Sequence, residues 1–157
     1  MAASTVRVPS CRTRLPGDNG AMTYIADDDK SRLDRDWIWR MLSTEAYWGL
    51  WRKPADVDVQ IGTAWRVVGI YEEETGAQVG FCRAVSDGLS FAYLADVIID
   101  PGHRGRGLGK RLVRAMIDDG PGAAFRWMLF TQDAHGLYEQ FGFGPADRSA
   151  MIRASTF

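Results

Sequence analysis

Residues 100–111 read Asp-Pro-Gly-His-Arg-Gly-Arg-Gly-Leu-Gly-Lys-Arg, and they hold the densest chemistry in the chain. Five of the 19 basic residues (Arg104, Arg106, Lys110, Arg111 and Arg114) fall between positions 103 and 114, with no acid between Asp100 and Asp118. Glycines at 105, 107 and 109 remove the Cβ at alternate positions, so successive backbone N–H groups can converge on one anion while a following helix adds its positive N-terminal dipole. That is phosphate-binding chemistry. The P-loop pattern does not fit: with Gly109-Lys110 as its Gly-Lys pair it needs glycine at 104 and Ser or Thr at 111, and both are Arg. A dinucleotide fingerprint starting at Gly105 needs glycine at 110, where Lys stands. Taken alone, the segment is also compatible with a structural turn that shows water a basic face.

The rest of the chain limits what such a site can serve. Its 157 residues, 46% hydrophobic and 25% charged, suit one soluble globular domain with a real core. A net charge of −1 gives no global pull toward nucleic acid or an anionic membrane, so neither is expected as a partner. The two cysteines (Cys11, Cys82) and two histidines (His103, His135) lack ligand-like spacing, and no metal is expected. No apolar run approaches membrane length and no signal-peptide core follows Met1, which predicts a cytoplasmic protein. Arg7, Arg12 and Arg14 among Ser and Thr superficially suit a transit peptide, but residues 1–22, with Pro9, Pro16, Gly17 and Gly20, read as a flexible tail before a single domain over 23–157.

Two elements must flank the basic turn. A long apolar strand over 91–99 ends at Pro101 and Gly102, and Leu108, Leu112, Val113, Met116 and Ile117 follow at helical spacing until Gly120-Pro-Gly. A buried strand over 124–130 and a helix over 134–141, with Asp133 as N-cap and Gly142 as its close, come next, and Met151 and Ile152 allow a last strand. Upstream, Leu33, Trp37, Ile38, Met41 and Leu42 form one helical stripe ending near Ser43, with Ser31 and Asp34 available to cap it. A short helix over 45–51 is predicted before Pro54, then helix rather than strand over 56–63, then a hairpin of strands over 65–71 and 78–85. This order predicts an α/β (α+β) domain, a mixed sheet with helices packed on it.

In that setting, Arg104-Gly-Arg-Gly107-Leu-Gly109 after a strand ending Ile99-Asp-Pro101 resembles the Arg/Gln-x-x-Gly-x-Gly/Ala loop of the GNAT superfamily of N-acetyltransferases. Downstream, Ala134-His-Gly-Leu-Tyr138-Glu-Gln-Phe-Gly142-Phe143 resembles that family's Ala-x-x-x-Tyr-x-x-x-Gly-Phe helix. The clear resemblance covers residues 91–143. It implies a mostly antiparallel twisted sheet with helices on both faces and a splayed parallel pair at the cofactor site, with acetyl-CoA as co-substrate. It further implies that backbone groups of Val97, Ile98 and Ile99 pair with the pantetheine arm. Arg104, Gly105, Arg106, Gly107, Leu108, Gly109 and Lys110 would hold the pyrophosphate, and Tyr138 would be a cofactor contact and general acid to the departing thiolate. Many members have Asn seven residues before that Tyr, touching the cofactor, whereas this chain has Thr131.

Acyl transfer to an amine requires a neutral nucleophile and a donor for the oxyanion, which a backbone N–H near Ile99 could supply. Asp96 is the first candidate base, on the face opposite Val97 and Ile99, with Tyr93 on the other face; Glu45 and His135 are others. The competing reading of Asp96 is a carboxylate bonded to backbone or to an Arg such as Arg83. His103 reads as a loop residue, and Cys82 as a small buried hydrophobe rather than an acyl carrier, which favours direct transfer in a ternary complex. The acceptor pocket is expected among Glu45, Tyr47, Trp48, Phe91 and Tyr93, with Asp27, Asp28, Asp29 and Glu45 available to attract a cationic amine. The acceptor is thus expected to be an amine-bearing small molecule or peptide. A non-catalytic CoA sensor and a homodimer both stay open.

Overall fold

The computed structural model describes residues 11–15 and 22–154. Six strands form one sheet in sequential order: β1 Arg12–Leu15, β2 Tyr24–Asp27, β3 Arg66–Glu72, β4 Gln78–Ser86, β5 Phe91–Ile99 and β6 Arg126–Met128. Every neighbouring pair is antiparallel except β5 and β6, which are parallel. Among the described residues the α-helices are α1 Arg35–Thr44, α2 Pro54–Thr63, α3 Leu108–Met116 and α4 His135–Glu139. The expected mixed, mostly antiparallel sheet is the observed one. Among the described residues no helix is long and apolar enough to cross a membrane.

The sheet separates two cores. On one face Trp37, Ile38, Met41 and Leu42 of α1 and Val57 and Ile61 of α2 pack on Val67, Phe81 and Ile98. On the other, Leu108, Leu112, Val113 and Met116 of α3, with Tyr138 of α4, pack on Val68, Ile70, Cys82, Ala84 and Leu94. The central strands are covered on both faces, which is why β3 reads as a nearly continuous apolar run. At the fully buried Leu42, Ile61, Leu112 and Met116, truncation to Ala would cost about 2–5 kcal/mol each.

Several expectations need correction. Arg12–Leu15, expected in the tail, pairs with β2, itself unforeseen; the other tail positions, 1–10 and 16–21, lie outside the described residues. The first helix starts later than Ser31: Asp34 caps α1 by accepting from the Trp37 N–H, while Ser31 sits in a short 3-10 turn capped by Asp29. Residues 45–51 form successive turns rather than a helix, with the Gly49 N–H donating to Ala46 O and the Arg52 N–H to Gly49 O. Leu50 and Trp51 point largely to solvent, so a helix here would have little apolar face to bury. Strand β6 is only Arg126–Met128, the Ala134 N–H is capped by Thr131 Oγ1 at 3.1 Å rather than by Asp133, and Met151 and Ile152 are exposed outside the sheet.

Candidate active site

The site begins with a defect in the ladder. Strand β4 pairs Phe81 with Ile98 and Arg83 with Ala95, so Cys82 alone faces both Asp96 and Val97: β5 carries one extra residue. Asp96 absorbs it with φ +55°, the left-handed region that Asp tolerates better than bulkier residues. A bulge reverses the alternation of side chains. Tyr93 and Asp96, expected on opposite faces, therefore line the same cleft. The parallel pairing of β5 with β6 stops at Tyr93 and Met128, just before the bulge, and among the described residues no strand lies beside the outer edge of β5 beyond that point. This is the expected splay.

The cleft, about 280 Å³, is walled by Leu94–Val97 positions of β5, by 129–131 and Tyr138 beyond β6, and by Tyr47, Trp48 and Trp51 from the turns after α1. Tyr47 and Trp48 stack edge to face at 4.8 Å, and the Gln132 N–H donates to the Tyr47 hydroxyl at 3.3 Å, which ties that aromatic wall to the loop before α4. Of the expected acceptor residues, Tyr47, Trp48 and Tyr93 line the cleft, while Glu45 and Phe91 do not. Glu45 pairs instead with Arg104 at 3.2 Å. The other acids expected to draw in a cation are also spent elsewhere. Asp27 pairs with Arg32, Asp28 with Arg66 at 3.1 Å, and Asp29 caps its 3-10 turn.

Asp96 lies on the cleft floor between two arginines. Arg52 grips it with both terminal nitrogens, Nη1 to Oδ2 at 2.8 Å and Nη2 to Oδ1 at 2.9 Å, and Arg83 Nε donates to Oδ2 at 2.6 Å. Burial pushes the Asp96 carboxyl up, but hydrogen bonds and charge from Arg52 and Arg83 outweigh it and hold the group below the usual carboxylate range. A carboxylate so held is a poor proton acceptor; the geometry favours the structural reading with an Arg partner. Arg52 was not foreseen, although a base closing the aromatic stretch 47–51 was its visible signal.

Replacing Asp96 with Asn should therefore act first on the fold. It leaves two guanidiniums around a neutral amide, and breaking a buried pair in this way costs about 3–5 kcal/mol, readable in urea unfolding at pH 7. The sign with pH follows from the lowered pKa. The ionised pair contributes its stability above the ordinary aspartate pKa of about 3.9 and loses it as pH falls through the native value, so wild type and variant should converge in acid.

Tyr138 faces the same cleft from α4, its ring edge to face with Phe143 at 5.9 Å. Burial first, then the nearby Cys82, Asp133, Tyr47 and Tyr93, push its phenol up to about 12, so it is a neutral donor at physiological pH. It also borders a second cavity of about 420 Å³, outside β6, where exposed His135 lies; His135 does not line the cleft. His103 is held between the Tyr24 hydroxyl at 3.2 Å and Glu72 at 3.6 Å. Cys82 is fully buried, and burial pushes its thiol up, so it is a core residue. Iodoacetamide applied to the native protein should leave Cys82 unlabelled, and labelling it should require denaturant, as read by peptide mass.

At the end of β5, Gly105 and Gly107 have φ +76° and +71°, and Gly107 is the N-cap of α3. A Cβ at either position would meet no protein atom within 4 Å, so both bare backbones open to solvent. The first turn of α3 contains no acid, which leaves its N-terminal dipole uncompensated. Arg104 is braced by Ile99 O at 3.2 Å, and Arg106 bends back to the Tyr24 hydroxyl at 3.3 Å, while Lys110 is exposed. Thr131, already the acceptor for Ala134 N–H, lines the cleft as well.

Comparison with known proteins agrees with this geometry. Residues 64–145 match the model of the acetyltransferase (GNAT) domain. A Gibberella zeae protein named as an acetyltransferase is 34% identical over 68% of this chain, which spans only 59% of that relative. A crystal structure of a GNAT-family protein from Xanthomonas campestris pv. campestris superposes with a TM-score of 0.77 at 37% identity, covering 84% of this chain and 93% of the other. A Clostridium acetobutylicum acetyltransferase solved with acetyl-CoA shares the fold at a TM-score of 0.58 and 12% identity, covering 85% of this chain and 96% of that one. A bulged strand that leaves a parallel neighbour, a glycine turn at its end and this run of similarity have one common explanation: the chain belongs to the GNAT family of acetyltransferases.

Proposed function

We propose that the protein is an acetyl-CoA-dependent N-acetyltransferase, moving an acetyl group to a primary amine of a small molecule or peptide by direct transfer in a ternary complex. The observation that carries this reading is the free edge of β5, which leads from the glycine turn into a cleft holding both the Tyr138 phenol and an aromatic acceptor wall. Backbone groups at 97–99 suit an extended amide-bearing arm added like a strand, and the bare turn at Gly105 and Gly107 suits a pyrophosphate that any Cβ would crowd. Acetyl-CoA supplies the activated thioester acyl group.

The chain's residues do the rest. Backbone N–H groups on the free edge of β5 receive the negative charge that develops on the acyl oxygen. Tyr138 donates to the sulfur as charge develops there. Asp96 orders Arg52 and Arg83 instead of accepting a proton. With its carboxylate held by two guanidiniums, the floor offers no proton acceptor, and the acceptor ammonium gives its proton to water through the open cleft.

Calorimetry with acetyl-CoA, using desulfo-CoA and ATP as controls, and a thiol-release screen of amines and peptides test the reading together. Selective CoA binding with thiol release is expected. Binding without release on any acceptor would favour a CoA sensor, and no CoA binding would overturn the assignment of residues 97–110.

A further inference from the structure

The cleft floor is chemically unbalanced. Two guanidiniums meet a single carboxylate; Arg52 and Asp96 are buried and Arg83 half-buried, with side chains 3% (Arg52), 11% (Arg83) and 4% (Asp96) exposed. Arg52 commits Nη1 and Nη2 to Asp96, shares Nη1 with Gln60 Oε1 at 2.9 Å, and is left with a buried Nε that has no hydrogen-bond partner among the described residues. Arg83 spends only its Nε on Asp96. An uncompensated buried cation and an unsatisfied buried donor each carry a cost that folds normally avoid. Such a deficit at a cleft where a substrate must sit suits an anionic group on that substrate.

We propose that the acceptor amine carries an anionic oxyacid group, a carboxylate or a phosphate, and that the Arg83–Arg52 pair on the cleft floor receives it. Arg83, the more accessible of the two, makes the direct contact with its terminal nitrogens, in the forked geometry that matches such oxyanions. Arg52 supplies the remaining charge. The phosphates of the acyl donor have their own cradle at Gly105 and Gly107, outside the lining of this cleft, so the anion belongs to the acceptor. This also replaces the expectation of a cationic acceptor. Asp27, Asp28 and Glu45 are bound to other arginines, and apart from Asp96 the only acid lining the cleft among the described residues is Asp133, which is exposed. The inference rests on the acyltransfer reading of the same cleft.

The test is a matched acceptor series, 4-aminobutanoate, 2-aminoethyl phosphate, butylamine and 1,4-diaminobutane, assayed by thiol release with acetyl-CoA. Alongside it, glutarate and inorganic phosphate are titrated calorimetrically into the CoA-loaded protein. An anionic acceptor should exceed butylamine by about tenfold or more in kcat/KM, and Arg83→Gln should collapse that ratio toward one through KM. Arg83→Lys, which keeps the charge and loses the fork, should restore part of it. Which of the two anionic acceptors, and which of glutarate and phosphate, is preferred identifies the oxyacid. Equal or better use of butylamine or diaminobutane, or a preference that survives in Arg83→Gln, would overturn the proposal. If no acceptor releases thiol, the titrations decide: anion binding that Arg83→Gln abolishes supports it, and no anion binding to wild type overturns it. Failure of the acyltransfer reading would show separately, as no acetyl-CoA binding or as no thiol release from any amine, whichever way the anion titrations fall.

Discussion

Gly107→Val should reduce acetyl-CoA affinity by at least about a hundredfold, roughly 2.7 kcal/mol, while Gly76→Val leaves it unchanged. The two glycines are matched in φ and in the space around an added Cβ. Gly107 has φ +71° and Gly76 φ +72°, and an added Cβ meets nothing within 4 Å at either site. A β-branched residue is strained in this region by about 1–3 kcal/mol whatever the space around it, so both variants should lose similar stability in urea unfolding. They differ in position. Gly76 sits in the hairpin between β3 and β4, whereas Gly107 is the N-cap residue of α3, at a helix N-terminus whose first backbone N–H groups lack intrahelical partners and suit an anion. A valine at 107 that relieves its strain must rotate those groups away, and one that keeps the backbone puts two methyls where the phosphates approach. If calorimetry found CoA bound equally by both variants, residues 104–110 would not be the pyrophosphate cradle.

Much of this arrangement was legible in the sequence because periodicity and punctuation carried it. Leu108, Leu112, Val113 and Met116 fix the face of α3, and 91–99 coincides with β5 because an apolar β-branched run ends at Asp100-Pro101. The basic turn was visible because its glycines serve backbone conformation, a local property. What escaped depends on distant pairing. The bulge at Asp96 exists only relative to Cys82 on β4, and a strict two-residue alternation therefore sent Tyr93 to the wrong face. Strand β1 was missed because Arg12, Thr13 and Arg14 carry no apolar alternation; pairing with β2 and the Arg14–Glu73 contact at 2.8 Å hold it instead. Asp28 and Glu45 looked available to a substrate because their arginine partners, Arg66 and Arg104, lie 38 and 59 positions away in the chain. Ion pairing between distant residues leaves no period to read.

Tyr138→Phe should lower kcat by about a hundredfold or more and leave acetyl-CoA affinity nearly intact, the expected scale for removing a positioned acid. The fold gives this substitution little to disturb. The ring supplies the packing against Phe143, which phenylalanine preserves, and the hydroxyl borders the cleft instead of being sealed in the core. Melting temperature should therefore stay close to wild type, which separates a chemical loss from an unfolding one. The pH dependence follows from the raised phenol. Because burial disfavours the phenolate, the neutral donor persists until pH nears about 12, and the wild-type kcat should show no alkaline decline from this group through pH 10. So weak an acid does not surrender its proton to sulfur unaided; it donates a hydrogen bond and completes the transfer as a second proton, released by the nitrogen once it has attacked the acyl carbon, replaces its own. A solvent isotope effect on kcat in the wild type that vanishes in Tyr138→Phe is the matching signature. A variant that lost cofactor affinity and kcat in equal measure would instead make Tyr138 a wall of the cofactor site, and the proton would have to reach the sulfur by another route.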